Sequence, residues 1–231
     1  KDHHLKINVM GICRSKLMLM NPEGIDLTNY IGEMEKQGER ADIELFIQKM
    51  QYLNFRNSVF IDCTADAQIA ATYHKVLNSF ISVVASNKIA CSSDYEAYDK
   101  LKRAARENNV KFMYETNVGA GLPIISTLND LIRSGDKILK LEAVLSGTLN
   151  FIFNTISEDI SLSKAVHMAM DAGFAEPDPR IDLSGTDVKR KLLILARESG
   201  YPLEAKDIEI IPFLPEDCFA GTLNDFWKSI A

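Results

Sequence analysis

The sequence predicts an α/β fold in which an incomplete, doubly wound parallel sheet is followed by an α+β domain. In the first half, short apolar segments alternate with amphipathic helical segments, as in parallel sheets that helices cover on both faces. In the second half, one longer segment alternates apolar and polar residues and predicts a strand of another kind of sheet. The change falls near residues 115–122, so we expect domains over residues 1–115 and 116–231.

The first domain is predicted to combine buried strands with amphipathic helices. Residues 59–61 and 80–85 are short apolar runs and hence buried strands, and residues 111–114 form another. Residues 6–12 alternate and end in a glycine region, which predicts the earliest strand that this chain contributes to the same sheet. The polar stretch 20–40 predicts a loop with a short helix. The helical patterns cover residues 42–53, 68–77 and 95–108.

The second domain is predicted to mix helices with at least one strand. A helix begins near Pro123, where proline suits a first helical turn. Residues 137–145 form the strand, and another helix follows the motif at residues 146–150. Two further helices, over residues 163–172 and 187–199, each end at a glycine, a common helix-stop residue.

The composition is that of an ordinary globular protein, with 46% hydrophobic and 25% charged residues among 231. A net charge of −6 argues against a nucleic-acid surface, which would cluster lysine and arginine. No apolar run approaches the roughly 18 residues of a membrane span, and no leader opens the chain. We therefore expect a cytoplasmic protein with neither nucleic acid nor membrane as a partner.

Cysteine and histidine usage indicates neither a zinc site nor a disulfide framework. The four cysteines are scattered without a C-x-x-C spacing: Cys13, Cys63, Cys91 and Cys218. His3 and His4 are adjacent, but no cysteine or further histidine is near them in sequence. A solvated chain start explains them better than a metal site does.

The most informative segment is an acidic loop that runs into a helix and ends at Lys191. Four carboxylates precede this lysine: Glu176, Asp178, Asp182 and Asp187. Pro177 and Pro179 stiffen the loop, since each proline fixes its own φ and restricts the preceding residue. Asp187 and Lys191 are four residues apart and share one helix face. The arrangement suits a small zwitterionic substrate that must also exchange a proton.

A structural interpretation of Asp187 is the alternative. Ser184 precedes Asp187 by three residues, before an apolar run, which matches a capping box and would make Asp187 a helix-start residue. An exposed pair with Lys191 would stabilise the fold by well under about 1 kcal/mol. Capping does not explain four carboxylates gathered upstream of one lysine, so we favour a functional site.

Polar residues at strand ends predict where a nucleotide would bind, because ligands of doubly wound sheets lie beyond the carboxyl ends of strands. Arg14 and Ser15 follow the first strand, where basic and hydroxyl groups suit a 2′-phosphate and hence NADP. A solvated turn is the alternative there. Thr64 and Lys88 follow the next two strands and are candidates to meet cofactor and substrate, although a surface lysine is the alternative for Lys88.

One expected motif is missing. No G-x-G-x-x-G follows a strand, although Rossmann-like sheets bind pyrophosphate with such a loop at a helix N-terminus. We therefore expect the first strand, the glycine loop and the first helix of the sheet to lie upstream of Lys1.

A glycine-rich stretch at the predicted domain change offers a second candidate site. Gly119 and Gly121 are positioned to cradle a phosphate, but Glu115 beside them would repel it. Closely spaced carbonyl oxygens with one carboxylate suit a hard cation better. A hinge whose glycines supply unusual backbone angles is the alternative.

Four segments carry a resemblance to a known family: residues 86–88, 115–126, 146–150 and 176–191. In order and spacing they resemble homoserine dehydrogenase, and specifically the dehydrogenase portion of bifunctional aspartokinase–homoserine dehydrogenases. The resemblance covers essentially the whole chain. It implies NAD(P)H-dependent reduction of aspartate 4-semialdehyde to homoserine, on the route to threonine and methionine.

The resemblance implies a role for individual residues. Lys191 matches the catalytic acid/base lysine, with Lys88 close to the reacting centre and Asp187 beside them. The residues matched to the substrate are Glu176, Asp182, Asp187, Gly147 and Thr148. The candidates for cofactor contact are Thr64 and Lys88, joined by Arg14 and Ser15 from their position after a strand. The residues matched to a monovalent cation, Na⁺ or K⁺, are Glu115, Val118, Ala120 and Leu122.

The resemblance further implies a small-molecule substrate and a homodimer or higher homo-oligomer formed through the second domain. The family's glycine loop and its returning C-terminal segment are both expected outside this chain. The main alternative is therefore an inactive fragment that serves only as a structural or oligomerisation domain. A dehydrogenase that uses a nucleophilic cysteine ranks far lower, because Cys63 and Cys91 lack an evident histidine partner.

Overall fold

The computed structural model describes residues 6–230, so His3 and His4 lie outside the described residues. The chain divides into two compact units. The described part of the first unit comprises residues 6–84 and 100–113, and that of the second comprises residues 85–99 and 114–230. The predicted domain ranges stay a prediction.

The first half of the chain contains six strands and five helices among its described residues. The strands are β1 (Gly11–Cys13), β2 (Leu17–Met20), β3 (Glu39–Arg40), β4 (Val59–Asp62), β5 (Ser82–Ala85) and β6 (Phe112–Met113). The helices are α1 (Tyr30–Gln37), α2 (Ile43–Leu53), α3 (Ala67–Ala71), α4 (Tyr73–Leu77) and α5 (Tyr95–Glu107). The predicted helices over residues 42–53 and 95–108 are confirmed within one residue at each end.

The first three strands form an antiparallel sheet in the order β1-β2-β3. A tight turn at residues 14–16 reverses the chain, and the Arg14 N–H donates to the Leu17 carbonyl at 2.8 Å. The prediction that residues 6–12 open the parallel sheet was wrong. Alternation of side chains predicts a strand but does not determine which strand it pairs with.

The remaining strands form a second sheet in the order β4-β5-β6, with β5 and β6 parallel. The predicted parallel α/β arrangement is therefore confirmed. The sheet buries Phe60 and Val83 on one face, whereas Val59, Ile61 and Met113 on the other are between 46% and 64% exposed. The prediction that helices cover both faces was wrong for this second face.

Tyr73 anchors the packing of the parallel sheet. Its side chain is fully buried, and its hydroxyl donates to the Asp62 carboxylate at 2.5 Å. Its ring meets Phe60 and Phe112 edge to face, with centroids 6.4 and 5.8 Å apart. The single helix predicted over residues 68–77 is broken just before Tyr73 into α3 and α4.

The second unit is built from helices. They are α6 (Ile124–Arg133), α7 (Gly147–Thr155), α8 (Leu162–Asp171), α9 (Arg180–Leu183), α10 (Thr186–Glu198) and α11 (Leu223–Ser229). Short 3₁₀ turns at Ala90–Ser92, Glu115–Asn117, Ala205–Asp207 and Glu216–Phe219 connect them. Their principal core comprises Ile152, Ala165, Val166, Ala169, Leu183, Phe226 and Ile230. This core fixes α7 and α9, the helices that carry Thr148 and Asp182.

The strand predicted over residues 137–145 of the second domain was wrong. Residues 137–145 form no strand, and Leu139 and Val144 are 88% and 76% exposed. This segment alternates apolar and polar residues, which is the pattern typical of a strand. A strand requires a neighbour to accept its backbone hydrogen bonds, and no neighbouring strand lies beside it here.

Within residues 6–230, no helix combines the length and the apolar character that a membrane crossing requires.

Replacing Ile152 by alanine should lower the free energy of unfolding by roughly 2–5 kcal/mol, because Ile152 is completely buried in the helical core and its truncation leaves a cavity. Urea denaturation followed by circular dichroism measures the effect. Ile156→Ala is the matched control, since Ile156 lies at the end of the same helix and is 38% exposed. Equal losses for the two variants would contradict the assigned core.

Candidate active site

The helix that carries Asp187 and Lys191 begins at an unusual residue. Gly185 precedes α10 with φ of +72°, a left-handed conformation that costs a residue with a side chain more than it costs glycine. The Lys189 N–H donates to the Gly185 carbonyl at 2.8 Å and closes the first turn. The capping-box interpretation of Asp187 was wrong, because the N-cap is Gly185 and the Ser184 hydroxyl accepts the Thr186 N–H at 3.3 Å rather than that of Asp187. The Asp187 carboxylate is directed to lysines instead.

Two ammonium groups meet at the Asp187 carboxylate. Lys191 Nζ lies 2.7 Å from Asp187 Oδ2, and Lys88 Nζ lies 3.4 Å from Asp187 Oδ1. Lys191 also donates to the backbone carbonyl of Leu145 at 2.8 Å. Its side chain is only 18% exposed, compared with 31% for Lys88 and 47% for Asp187. The carboxylate therefore bridges two cations at the edge of the unit, where a small molecule can reach it.

The charges around Asp187 control its titration. Burial alone would raise the pKa of the Asp187 carboxyl. The hydrogen bond from Lys191 and the positive charges of Lys88 and Lys191 outweigh burial, so the pKa lies below its usual value. Asp187 is accordingly ionised at neutral pH, and the trio carries a net positive charge.

A rigid turn presents Lys88 to this carboxylate. The Lys88 carbonyl accepts hydrogen bonds from the Ser92 N–H at 3.0 Å and the Ser92 hydroxyl at 2.8 Å. Just before it, the buried Asn87 side chain accepts from the Ile89 N–H at 3.1 Å. Lys88 is thus not the freely solvated surface lysine that the sequence left open.

The remaining carboxylates of the acidic loop have separate partners. Asp182, on α9, accepts the backbone N–H of Glu176 at 2.8 Å, and the Thr148 hydroxyl lies 3.3 Å from its other oxygen. The Glu176 side chain is exposed. Gly147 is the first residue of α7, a helix that the Ser146 hydroxyl caps by accepting the Leu149 N–H at 3.1 Å.

Asp178 serves the loop itself. Its carboxylate makes a forked pair with Arg180, whose Nη2 lies 2.6 Å from Asp178 Oδ2, and the hydrogen bond from Arg180 lowers the pKa of Asp178. Arg180 also donates to the Gly221 carbonyl at 2.9 Å. Sequence reasoning missed Arg180, although an arginine two residues after an aspartate across a proline was a usable signal.

The candidates for cofactor contact in the first unit lie in two loops. Thr64 follows β4, where its N–H donates to Asp62 at 2.7 Å and its hydroxyl accepts the Asp66 N–H at 3.2 Å. Arg14 and Ser15 lie in the turn between β1 and β2, and both are exposed. Their roles stay a prediction, although the turn belongs to the antiparallel sheet.

The candidate cation loop begins at a carboxylate that already accepts hydrogen bonds from a helix. Both Glu115 carboxylate oxygens cap α6, accepting the Ile125 and Ser126 N–H groups at 2.7 and 2.9 Å. Gly119 has φ of +78° and Ala120 has φ of +52°, which turns the chain sharply.

The amide oxygen of Asn117 is buried beside this loop and has no hydrogen-bond partner among the described residues. Within residues 6–230, no cluster of three or more His, Cys, Asp or Glu side chains is arranged to hold a metal. The unpartnered Asn117 amide oxygen is a ligand of the kind that a hard cation prefers.

Comparison with known proteins gives matches along nearly the whole chain. The model of the homoserine dehydrogenase NAD-binding domain matches residues 1–115, and the homoserine dehydrogenase model matches residues 123–218. The chloroplastic bifunctional aspartokinase/homoserine dehydrogenase 2 of Arabidopsis thaliana is 46% identical over 217 residues, covering 94% of this chain and 24% of the relative. The chain spans about a quarter of the length of the curated relatives it matches.

Two solved structures extend the comparison. A Candida auris protein of unknown function is 31% identical with a TM-score of 0.88, over 97% of this chain and 66% of that one. A hyperthermophilic archaeal homoserine dehydrogenase in complex with NADPH is 28% identical with a TM-score of 0.69, over 83% of this chain and 60% of that one.

The α/β fold with its parallel strands accompanies the match to an NAD-binding domain model. The two adjacent homoserine dehydrogenase models leave few residues unmatched. The chain belongs to the homoserine dehydrogenase family.

Replacing Lys191 by methionine should raise the Asp187 pKa towards or above its ordinary value of about 3.9, because burial is then opposed by Lys88 alone. Carbon-13 NMR titration of the Asp187 carboxyl measures this change. Lys189→Met on the same helix is the control and should leave the titration as it is.

The same pair has a defined effect on stability. Because the folded pKa of Asp187 lies below the unfolded one, the interaction stabilises the fold above the ordinary pKa and is lost as pH falls through the lower folded value. An Asp187 pKa that does not respond to Lys191→Met would contradict the assigned contact.

Proposed function

We propose that the chain is the dehydrogenase part of a bifunctional aspartokinase/homoserine dehydrogenase and reduces L-aspartate 4-semialdehyde to L-homoserine. Membership of the family supports the reaction class. The observation that carries the proposal is the Asp187 carboxylate held between Lys191 at 2.7 Å and Lys88 at 3.4 Å. Such a cluster supplies an oriented ammonium group where a reduced aldehyde needs a proton.

Lys191 is proposed as the proton donor. An ammonium group has three N–H donors, and Asp187 and the Leu145 carbonyl engage two of them. The third is then available to the substrate oxygen. When bound, NAD(P)H supplies the hydride that reduces the aldehyde carbon. As the oxygen gains negative charge, Lys191 donates its proton, and a positioned acid of this kind contributes roughly 10²–10⁴-fold to the rate.

Glu176 is proposed to bind the ammonium group of the substrate. Its carboxylate is exposed, while Asp182 accepts its backbone N–H at 2.8 Å and so fixes the loop on which it lies. Asp182 is therefore proposed to support Glu176. Gly147 and Thr148, in the first turn of α7, are proposed to offer backbone N–H groups to the substrate carboxylate.

Within the first unit, Thr64, Arg14 and Ser15 are proposed to contact the nicotinamide cofactor. Lys88 is a separate candidate for cofactor contact. The exposed guanidinium of Arg14 and hydroxyl of Ser15 are donors that suit a 2′-phosphate, which favours NADP over NAD. The NADPH complex of the archaeal homoserine dehydrogenase supports the same preference.

Four further features complete the proposal. A monovalent cation, Na⁺ or K⁺, binds the loop of Glu115, Val118, Ala120 and Leu122.

The product serves threonine and methionine biosynthesis, and the protein acts as a homodimer or higher homo-oligomer. Cys13, Cys63 and Cys218 are free thiols, which supports a reducing compartment such as the cytoplasm.

Lys191→Met in the full-length protein should lower turnover by roughly 10²–10⁴-fold with little change in KM, because it removes the proton donor and leaves the substrate-binding carboxylates in place. NADPH oxidation with aspartate 4-semialdehyde measures turnover, and fluorescence titration should show unchanged NADPH binding. Lys189→Met is the control. Turnover close to that of the parent chain in Lys191→Met would reject the assigned role.

Glu176→Gln should raise KM for the substrate by about tenfold or more and lower kcat less, because a charge-assisted contact to an ammonium group is lost while Lys191 is untouched. Steady-state kinetics in both reaction directions measures the two constants. Glu158→Gln, at an exposed position away from the acidic loop, is the control. An unchanged KM in Glu176→Gln would remove Glu176 from the substrate site.

A further inference from the structure

We propose that Arg197 is a positioning residue that holds Lys88 against Asp187. The proposal rests on the proposed function, in which Lys88 and Lys191 share that carboxylate. Arg197 does not touch the carboxylate itself. It acts through the turn that follows Lys88.

Arg197 lies on α10 with its side chain completely buried. A buried guanidinium must satisfy its donors within the protein. Arg197 does so with the Leu203 carbonyl at 3.0 Å from Nε, the Cys91 carbonyl at 3.0 Å from Nη1 and Glu204 at 3.2 Å from Nη2. Each arm of the guanidinium therefore reaches a different part of the chain.

Two aromatic rings lie against this guanidinium, and its carboxylate partner makes a further contact. Its carbon lies 5.7 Å from the centroid of Tyr95 and 5.2 Å from that of Tyr98. Glu204, which pairs with Arg197, also accepts the Tyr95 N–H at 3.0 Å. The start of α5 is thereby fixed to the same group.

The contact with Cys91 is the one that bears on the site. Cys91 follows Lys88 by three residues, within the turn whose Lys88 carbonyl accepts two hydrogen bonds from Ser92. Arg197 follows Lys191 by six residues on α10. The Lys88 turn and α10 are thus joined at two places, by Arg197 with Cys91 and by Asp187 with Lys88.

These two contacts are unequal in strength. The Lys88–Asp187 distance of 3.4 Å joins two partly exposed side chains, and such pairs contribute little when their partners are not already in place. The buried Arg197 contact supplies that placement. Lysine is a poor substitute, because one ammonium group cannot present a planar fork to three separate acceptors.

The amine reactivity of Lys88 tests the proposal without any activity measurement. Competitive labelling with acetic anhydride, followed by peptide mass spectrometry, compares Lys88 with Lys191 in the folded chain. In Arg197→Met, the labelling rate of Lys88 should rise by about threefold, the order expected when a partly exposed ion pair is lost. Lys191 should keep its rate, because it retains Asp187 and Leu145. Arg190→Met, at an exposed position of the same helix, should change neither rate.

Arg197→Lys covers the case in which Arg197→Met does not fold, and it should give an intermediate rise at Lys88. Asp187→Asn should raise Lys88 labelling in the parent chain and add little in the Arg197→Met background. A parental Lys88 rate in a folded Arg197 variant would overturn the proposal, as would an equal rise at Lys88 and Lys191. A selective Lys88 response in a full-length protein without dehydrogenase activity would uphold the positioning role and reject the proposed function.

Discussion

The Asp187 carboxylate, shared by the ammonium groups of Lys191 and Lys88, is the interaction around which the second unit is organised. Bringing two cations within 3.4 Å of one half-buried carboxylate is favourable only if the backbone delivers all three side chains to that point. α10 delivers Asp187 and Lys191 through their spacing of one helical turn. The turn after β5 delivers Lys88, and Arg197 joins that turn to α10.

Neutral backbone groups complete this arrangement. The Leu145 carbonyl accepts a hydrogen bond from Lys191 at 2.8 Å, which orients the ammonium without adding a second negative charge. The helical core around Ile152 and Leu183 fixes α7 and α9. The Thr148 hydroxyl therefore lies beside the Asp182 carboxylate, and this contact holds the acidic loop. Packing and charge thus support the same small region.

Local patterns predicted those parts of the structure that depend on neighbours in sequence. The spacing of Asp187 and Lys191 predicted their contact, and apolar periodicity predicted α2 and α5 nearly to the residue. The sequence patterns did not predict interactions between residues that are far apart along the chain. The strand predicted at residues 137–145 fails because a strand needs a partner, and residues 6–12 were assigned to the wrong sheet for the same reason. Leu145 takes part through its carbonyl, which no side-chain pattern reveals.

A crystal structure of the chain with L-homoserine bound would test the central claim most directly, through the distance from the substrate hydroxyl oxygen to Lys191 Nζ. The account predicts a hydrogen bond of about 2.7–3.2 Å, with the Lys191 ammonium still on Asp187. A hydroxyl held by other groups, with Lys191 more than about 5 Å away and turned to solvent, would contradict it.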